Sequence, residues 1–137
     1  MAALTTAQIK ITSDADSLTS SAIAIDETFT YFDAGTSTGM EKTTGLARKS
    51  FAAATETRLL AAADYAVDKA TKLYIKNTDL AGGSATTVKI TFGTIGGSGL
   101  GILHNNEWAL IPWTGTSDLN VVCSSADTLV EWMVIFE

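Results

Sequence analysis

Residues 127–137 read DTLVEWMVIFE. β-Branched and aromatic residues dominate this stretch, which is the composition of a strand. Alternate side chains of a strand share a face. Leu129, Met133 and Ile135 therefore fall on one side, and Val130, Trp132, Val134 and Phe136 on the other. Both sides are apolar, whereas a sandwich strand ordinarily packs one face and wets the other. The segment EWALIPW, residues 107–113, repeats the pattern, with Trp108, Leu110 and Pro112 set against Ala109, Ile111 and Trp113. Two such strands need two covers. One is the core; the other is either the chain's own N-terminal half or a neighbouring subunit.

Upstream of these strands the pattern is clearer still. KLYIKN, residues 72–77, alternates Leu73 and Ile75 against Lys72, Tyr74 and Lys76. TTVKITF, residues 86–92, points Val88, Ile90 and Phe92 inward and Thr87, Lys89 and Thr91 outward. These period-2 runs predict strands with one wet face. A turn is expected over 77–84, a glycine-rich loop over 93–101, a turn at Asn105-Asn106, and a short strand LNVVC over 119–123. Pro112 lacks an N–H, which places it near a strand end or on an edge. Short strands at regular intervals suggest a sandwich or a barrel.

The first half divides opinion. Gln8–Thr12 reads as a strand, and Ser21–Phe32 as a strand or bent hairpin with Ile23, Ile25, Phe29 and Tyr31 in one parity. Residues 33–45 read as a polar loop. Residues 51–70 are Ala-rich, and Leu59, Ala63, Val67 and Ala70 match a helical stripe, so intrinsic propensity favours helix. The all-β context favours a strand around Thr57–Ala61 followed by a turn, and that is the expectation adopted.

The 137 residues suit one domain over 1–137, with residues 1–20 as a candidate N-terminal arm. The balance of 9 Lys+Arg against 15 Asp+Glu gives a net charge of −6. That argues against broad contact with a nucleic-acid backbone or an anionic membrane. Cys123 is the single cysteine, so no intrachain disulfide forms, and cytoplasmic synthesis is expected. The N-terminus lacks a basic region followed by an apolar run, so no secretion signal is expected. No apolar run reaches the roughly 18 residues of a membrane helix.

Chemistry is hard to find. His104 is the sole histidine, beside the expected Asn105-Asn106 turn, and Cys123 lies in an apolar strand; two isolated residues are not a nucleophile–base pair. Asp14-Ala15-Asp16-Ser17 resembles the start of a calcium loop, but Thr19 and Ile25 stand where that loop needs Gly and Glu. One Cys and one His cannot make a zinc site. Gly93, Gly96, Gly97, Gly99 and Gly101 precede a strand rather than a helix and no Lys follows Lys89, so they do not form a phosphate cradle. Glu107 and Glu131 are the acids inside the late strands, and a glycosidase would need one of them beside a second acid in a cleft. No enzyme activity, cofactor or metal is expected. Trp108, Trp113 and Trp132 are the distinctive residues. Exposed, a tryptophan stacks on sugars; buried, it is core or interface. Trp108 and Trp113 lie five apart and point to opposite faces of a regular strand, so they cannot make one platform.

The runs TKLYIKNTDLAGGSATTVKITFG and GILHNNEWALIPWTGTSDLNVVCSSADTLVEWMVIFE, about residues 71–137, resemble small β-sandwich structural proteins of tailed bacteriophages, particularly those of aquatic bacteria. The likeness is one of strand and turn order, without an active-site motif, and does not extend to the N-terminal half. It implies an all-β, antiparallel, jelly-roll-like sandwich, often trimeric, serving as a capsid decoration (cement) protein or as part of a tail or fibre. The expected function is a non-enzymatic structural virion protein that self-associates, with a trimer favoured. It would bind the major capsid protein or another virion protein on the capsid exterior. The alternative is a tail-fibre or receptor/carbohydrate-binding module using an exposed Trp. Trp108, Trp113, Trp132, Met133 and Ile135 are the candidate partner or subunit contacts.

Overall fold

A computed structural model of the chain describes residues 5–13, 23–33, 35–36, 38–40, 42–65, 68–79 and 85–137. The chain divides into two compact units, Met1–Glu41 and Lys42–Glu137. In the first, β1 (Thr5–Ser13) pairs antiparallel with β2 (Ile23–Tyr31), in a register running from Thr5 opposite Tyr31 to Ser13 opposite Ile23. The pairing sorts the side chains. Ala7 faces Phe29 and Ile11 faces Ile25, while Gln8 and Lys10 face Thr28 and Asp26. Gln8 Nε2 donates to Asp26 Oδ1 at 2.7 Å. A two-stranded ribbon has no second layer to cover its apolar side, and Ile11, Ile25 and Phe29 stay exposed. The segment after β2 folds back on it: Met40 N donates to the Tyr31 carbonyl, and Thr5 Oγ1 to the Met40 carbonyl. Residues 5–13 of the segment read as an arm are thus strand. The Asp14–Ser17 turn, residues 80–84 of the expected 77–84 turn, and Val67 lie outside the described residues.

The second unit is an antiparallel β-sandwich. Its strands are β3 (Lys42–Thr43), β4 (Ala47–Phe51), β5 (Glu56–Leu60), β6 (Lys72–Asn77), β7 (Val88–Phe92), β8 (Ser98–Leu103), β9 (Trp108–Pro112), β10 (Leu119–Cys123) and β11 (Thr128–Phe136). One sheet runs β5-β10-β7-β8. The other runs from β3 and β4, which pair successive parts of β11, through β11 and β6 to β9. From β4 onward the chain passes repeatedly between the two sheets, which is jelly-roll connectivity. β11 is interior to its sheet, paired on both sides. Leu73, Ile75, Val130 and Val134 meet Val88, Ile90, Leu119 and Val121 between the sheets, all at 2% exposure or less. Each such side chain contributes about 1.5–3 kcal/mol.

Residues 51–70 resolve in favour of strand. β5 pairs with β10 and buries Leu60. The chain then turns, with Asp64 Oδ2 accepting from Ala61 N at 2.8 Å and Asp118 Oδ1 from Ala62 N at 2.7 Å. No helix forms there among the described residues, because tertiary pairing overrides alanine's propensity. Several details depart from expectation. β3, inside the expected 33–45 loop, and β4 were not foreseen. The glycine-rich stretch 93–101 is loop only to Gly97 and then becomes β8. Gly97 has to be glycine, since a Cβ would lie 1.9 Å from the Phe92 carbonyl oxygen. Thr91, expected in solvent, is 2% exposed, because Glu56 and Asn120 close over it.

Candidate functional site

The alternation that puts Leu73 and Ile75 in the core sends Lys72, Tyr74 and Lys76 to the outer face of the larger sheet. The strand register places their neighbours. Lys76 lies between Glu131 and Trp108, and Arg48 flanks Glu131 on its far side. Tyr74 lies between Met133 and Leu110, and Lys72 between Ile135 and Pro112. The result is a continuous face of aromatic, aliphatic and cationic groups. Trp108 is 50% exposed and its ring centroid is 6.2 Å from that of Tyr74, with planes at 39°. The two rings form a bent apolar surface rather than a flat one.

Glu131 sits within this face and is buried. Arg48 Nε donates to its Oε2 at 2.5 Å, and the Tyr74 hydroxyl to its Oε1 at 3.1 Å. Burial alone would raise the Glu131 carboxyl. The hydrogen bonds from Arg48 and Tyr74, with the charges of Arg48 and Lys76, outweigh it and hold the carboxyl below its usual range. Burial, then the bond and charge of Glu131, push the Tyr74 hydroxyl up. Glu131 is therefore engaged as an ion-pair acceptor. Arg48, Lys72 and Lys76 outnumber it on the same face.

The five residues singled out by sequence do not stay together. Trp108, Met133 and Ile135 share the outer face, with Ile135 only 7% exposed. Trp132 packs on the core side, 6.2 Å from the Phe51 ring. Trp113 is buried just beyond β9, where Nε1 donates to the Ser117 carbonyl at 3.0 Å and Tyr65 meets it edge-on at 5.9 Å. Trp108 and Trp113 lie on opposite sides, as their spacing requires. Tyr74 is the aromatic partner that sequence reasoning passed over. Its parity with Lys72 and Lys76 was legible, but its position beside Trp108 depends on the β6–β9 register.

The structure also places the remaining chemical candidates. Cys123 is fully buried; burial, then the charge of Asp79, pushes its thiol up to about 11. His104 is exposed, and its backbone N–H donates to Glu107 Oε2 at 2.7 Å, so the Glu107 carboxylate secures the 104–107 turn. A polar cluster not foreseen from sequence surrounds Glu56. The Thr91 hydroxyl, Gly96 N at 2.6 Å and Asn120 Nδ2 at 3.4 Å all donate to its carboxylate. These bonds, Thr91 first and then Gly96, hold the Glu56 carboxyl low. The cluster ties the 93–97 loop to β5. Phe92, Pro112, Thr114, Thr116 and Ser117 line a hollow beside Trp113 that contains no charged side chain. Among the described residues, no three His, Cys, Asp or Glu side chains gather as a ligand set for a metal ion.

No protein-family model matches the chain, and no curated protein matches it. Among solved structures, it is similar to a chain from a structure described as "Bacillus endospore appendages form a novel family of disulfide-linked pili". The identity is 12% and the TM-score 0.40, over 74% of this chain and 95% of that one. Likeness at this level leaves the function of the chain to be argued from its own surfaces.

Proposed function

We propose that this chain is a non-enzymatic structural protein of a virion, a decoration (cement) protein on the exterior of a tailed-bacteriophage capsid. The outer face of the β11–β6–β9 sheet is the observation that carries the reading. There Trp108, Tyr74, Leu110 and Met133 stand among Arg48, Lys72 and Lys76, where a simply solvated strand face would be polar throughout. Aromatic residues and Met with Arg nearby are the composition of a protein–protein contact. In this reading the major capsid protein covers that face. The chain associates with its own copies, as a trimer, through other surfaces. It is made in the cytoplasm of the host bacterium and requires no cofactor, nucleic acid or membrane.

The half-exposed Trp108 favours a second reading, a fibre-type receptor or carbohydrate module in which a sugar ring stacks on its indole. Fluorescence separates the two. Trp113 is buried and Trp132 packs against the core, so quenching by iodide reports chiefly on Trp108. If the first reading holds, adding the protein to capsid shells that lack it should abolish that quenching and shift the emission to the blue. The same change produced by a glycan in the absence of shells supports the module instead. No change with either removes both readings.

A further inference from the structure

β8 ends its sheet, and among the described residues no strand pairs its outer edge. From Gly93 to Leu103 the chain carries neither a charge nor a proline. Ile95, Leu100 and Ile102 are 73%, 47% and 54% exposed. The other edge strands are guarded: β9 carries Pro112, β5 carries Glu56 and Arg58, and β3 and β4 carry Lys42, Arg48 and Lys49. Charge and proline are the usual means by which an edge is kept from pairing. β8 has only a bulge, where a register shift leaves Leu100 without a partner on β7, while Gly101–Leu103 continue in regular pairing.

We infer that β8 pairs edge to edge with β8 of a second copy, antiparallel about a twofold axis, joining two four-stranded sheets into one of eight strands. The occupant is a second copy because of charge. A chain of net charge −6 repels its own kind wherever acids meet. In a twofold contact each residue meets its own neighbourhood; Ser98–Leu103 carries no acid of its own to the seam, and Glu56 reaches only Gly96 in the preceding loop. Unpaired main-chain groups supply the hydrogen bonds, and Leu100 and Ile102 add apolar area. The inference goes beyond shell docking, which uses the other sheet. The contact is twofold, so it doubles whatever assembly the chain otherwise forms, one copy becoming two or one trimer becoming two.

Light scattering on the wild type and Ile102→Lys tests it. The substitution sets like charges across the seam at an exposed position. The wild-type mass should be twice that of the variant, with identical circular dichroism, and Leu100→Glu should behave alike. Leu46→Lys, at an exposed position outside the seam, should keep the wild-type mass. In the wild type, amide exchange over Ser98–Leu103 should slow as concentration rises. Equal masses for wild type and both seam variants, an odd number of 14.4 kDa chains in the wild type, or exchange independent of concentration would overturn the inference. Neither seam variant touches the β11–β6–β9 face, so shell binding is read separately by co-sedimentation.

Discussion

Asn77 joins the two sheets through a single side chain. Its Nδ2 donates to the Thr86 carbonyl at 3.3 Å, to Thr86 Oγ1 at 3.2 Å and to the Leu103 carbonyl at 3.4 Å, and its Oδ1 accepts from Asp79 N at 3.2 Å. Replacing it removes the buried donor that Thr86 and Leu103 share. Asn77→Ala should cost about 2–3 kcal/mol, read as a lower urea midpoint at unchanged slope. In the sequence Asn77 reads as the first residue of a turn, because its partners at 86 and 103 come near only once the sandwich closes. The carboxylates give a second test. Glu131 and Glu56 are both held below the ordinary glutamate value of 4.5 in the folded chain. A carboxyl depressed by folding adds stability above its unfolded value, and that stability is lost as pH falls through the folded value. Urea midpoints should therefore be flat near neutrality and fall below about pH 4.5. Glu131→Gln should show a shallower acid fall than the wild type. An unchanged fall would mean that the Arg48 pair adds nothing.

Among the elements, β11 answers the question its sequence raises. It is paired on both edges, and its two apolar faces meet different surroundings. One face packs on the core through Val130 and Val134, and the other is partly roofed by the chain's own Arg48 and Tyr74 over Glu131. Period-2 alternation made β6 and β7 legible, and apolar runs of β-branched and aromatic residues between turn signals made β9, β10 and β11 legible. β4 is charged and β8 glycine-rich, so neither shows such a signal, and the Ala-rich run before Thr71 fits helix and strand alike until β10 is there to pair with it. The tryptophans separate on the same logic. Trp113 is packed against Tyr65, and Trp113→Ala should cost about 3–5 kcal/mol. Trp108→Ala, on the outer face, should change stability by less than about 0.5 kcal/mol. Thermal or urea unfolding checks both. A large loss for Trp108→Ala would make its face part of the monomer's packing rather than a contact surface.

Over the whole molecule, charge is divided unequally. Residues 1–41 carry one Lys against six acids, whereas residues 42–137 carry eight cations against nine acids. An aromatic face bearing Arg48, Lys72 and Lys76 on an acidic chain is suited to an acidic partner surface, and salt should weaken that contact. The aromatic content of the face was legible in the sequence through Trp108, but its extent was not, because Tyr74, Arg48 and Glu131 come from strands that meet only through β11 and β6. Co-sedimentation of the purified protein with capsid shells that lack it is the most direct test of the proposed role. Wild type should bind saturably at a fixed ratio to the shell subunit, and Trp108→Ala should bind roughly 30-fold more weakly, the loss expected when an aromatic anchor is truncated. Wild type left in the supernatant, or Trp108→Ala bound as tightly as wild type, would contradict the account.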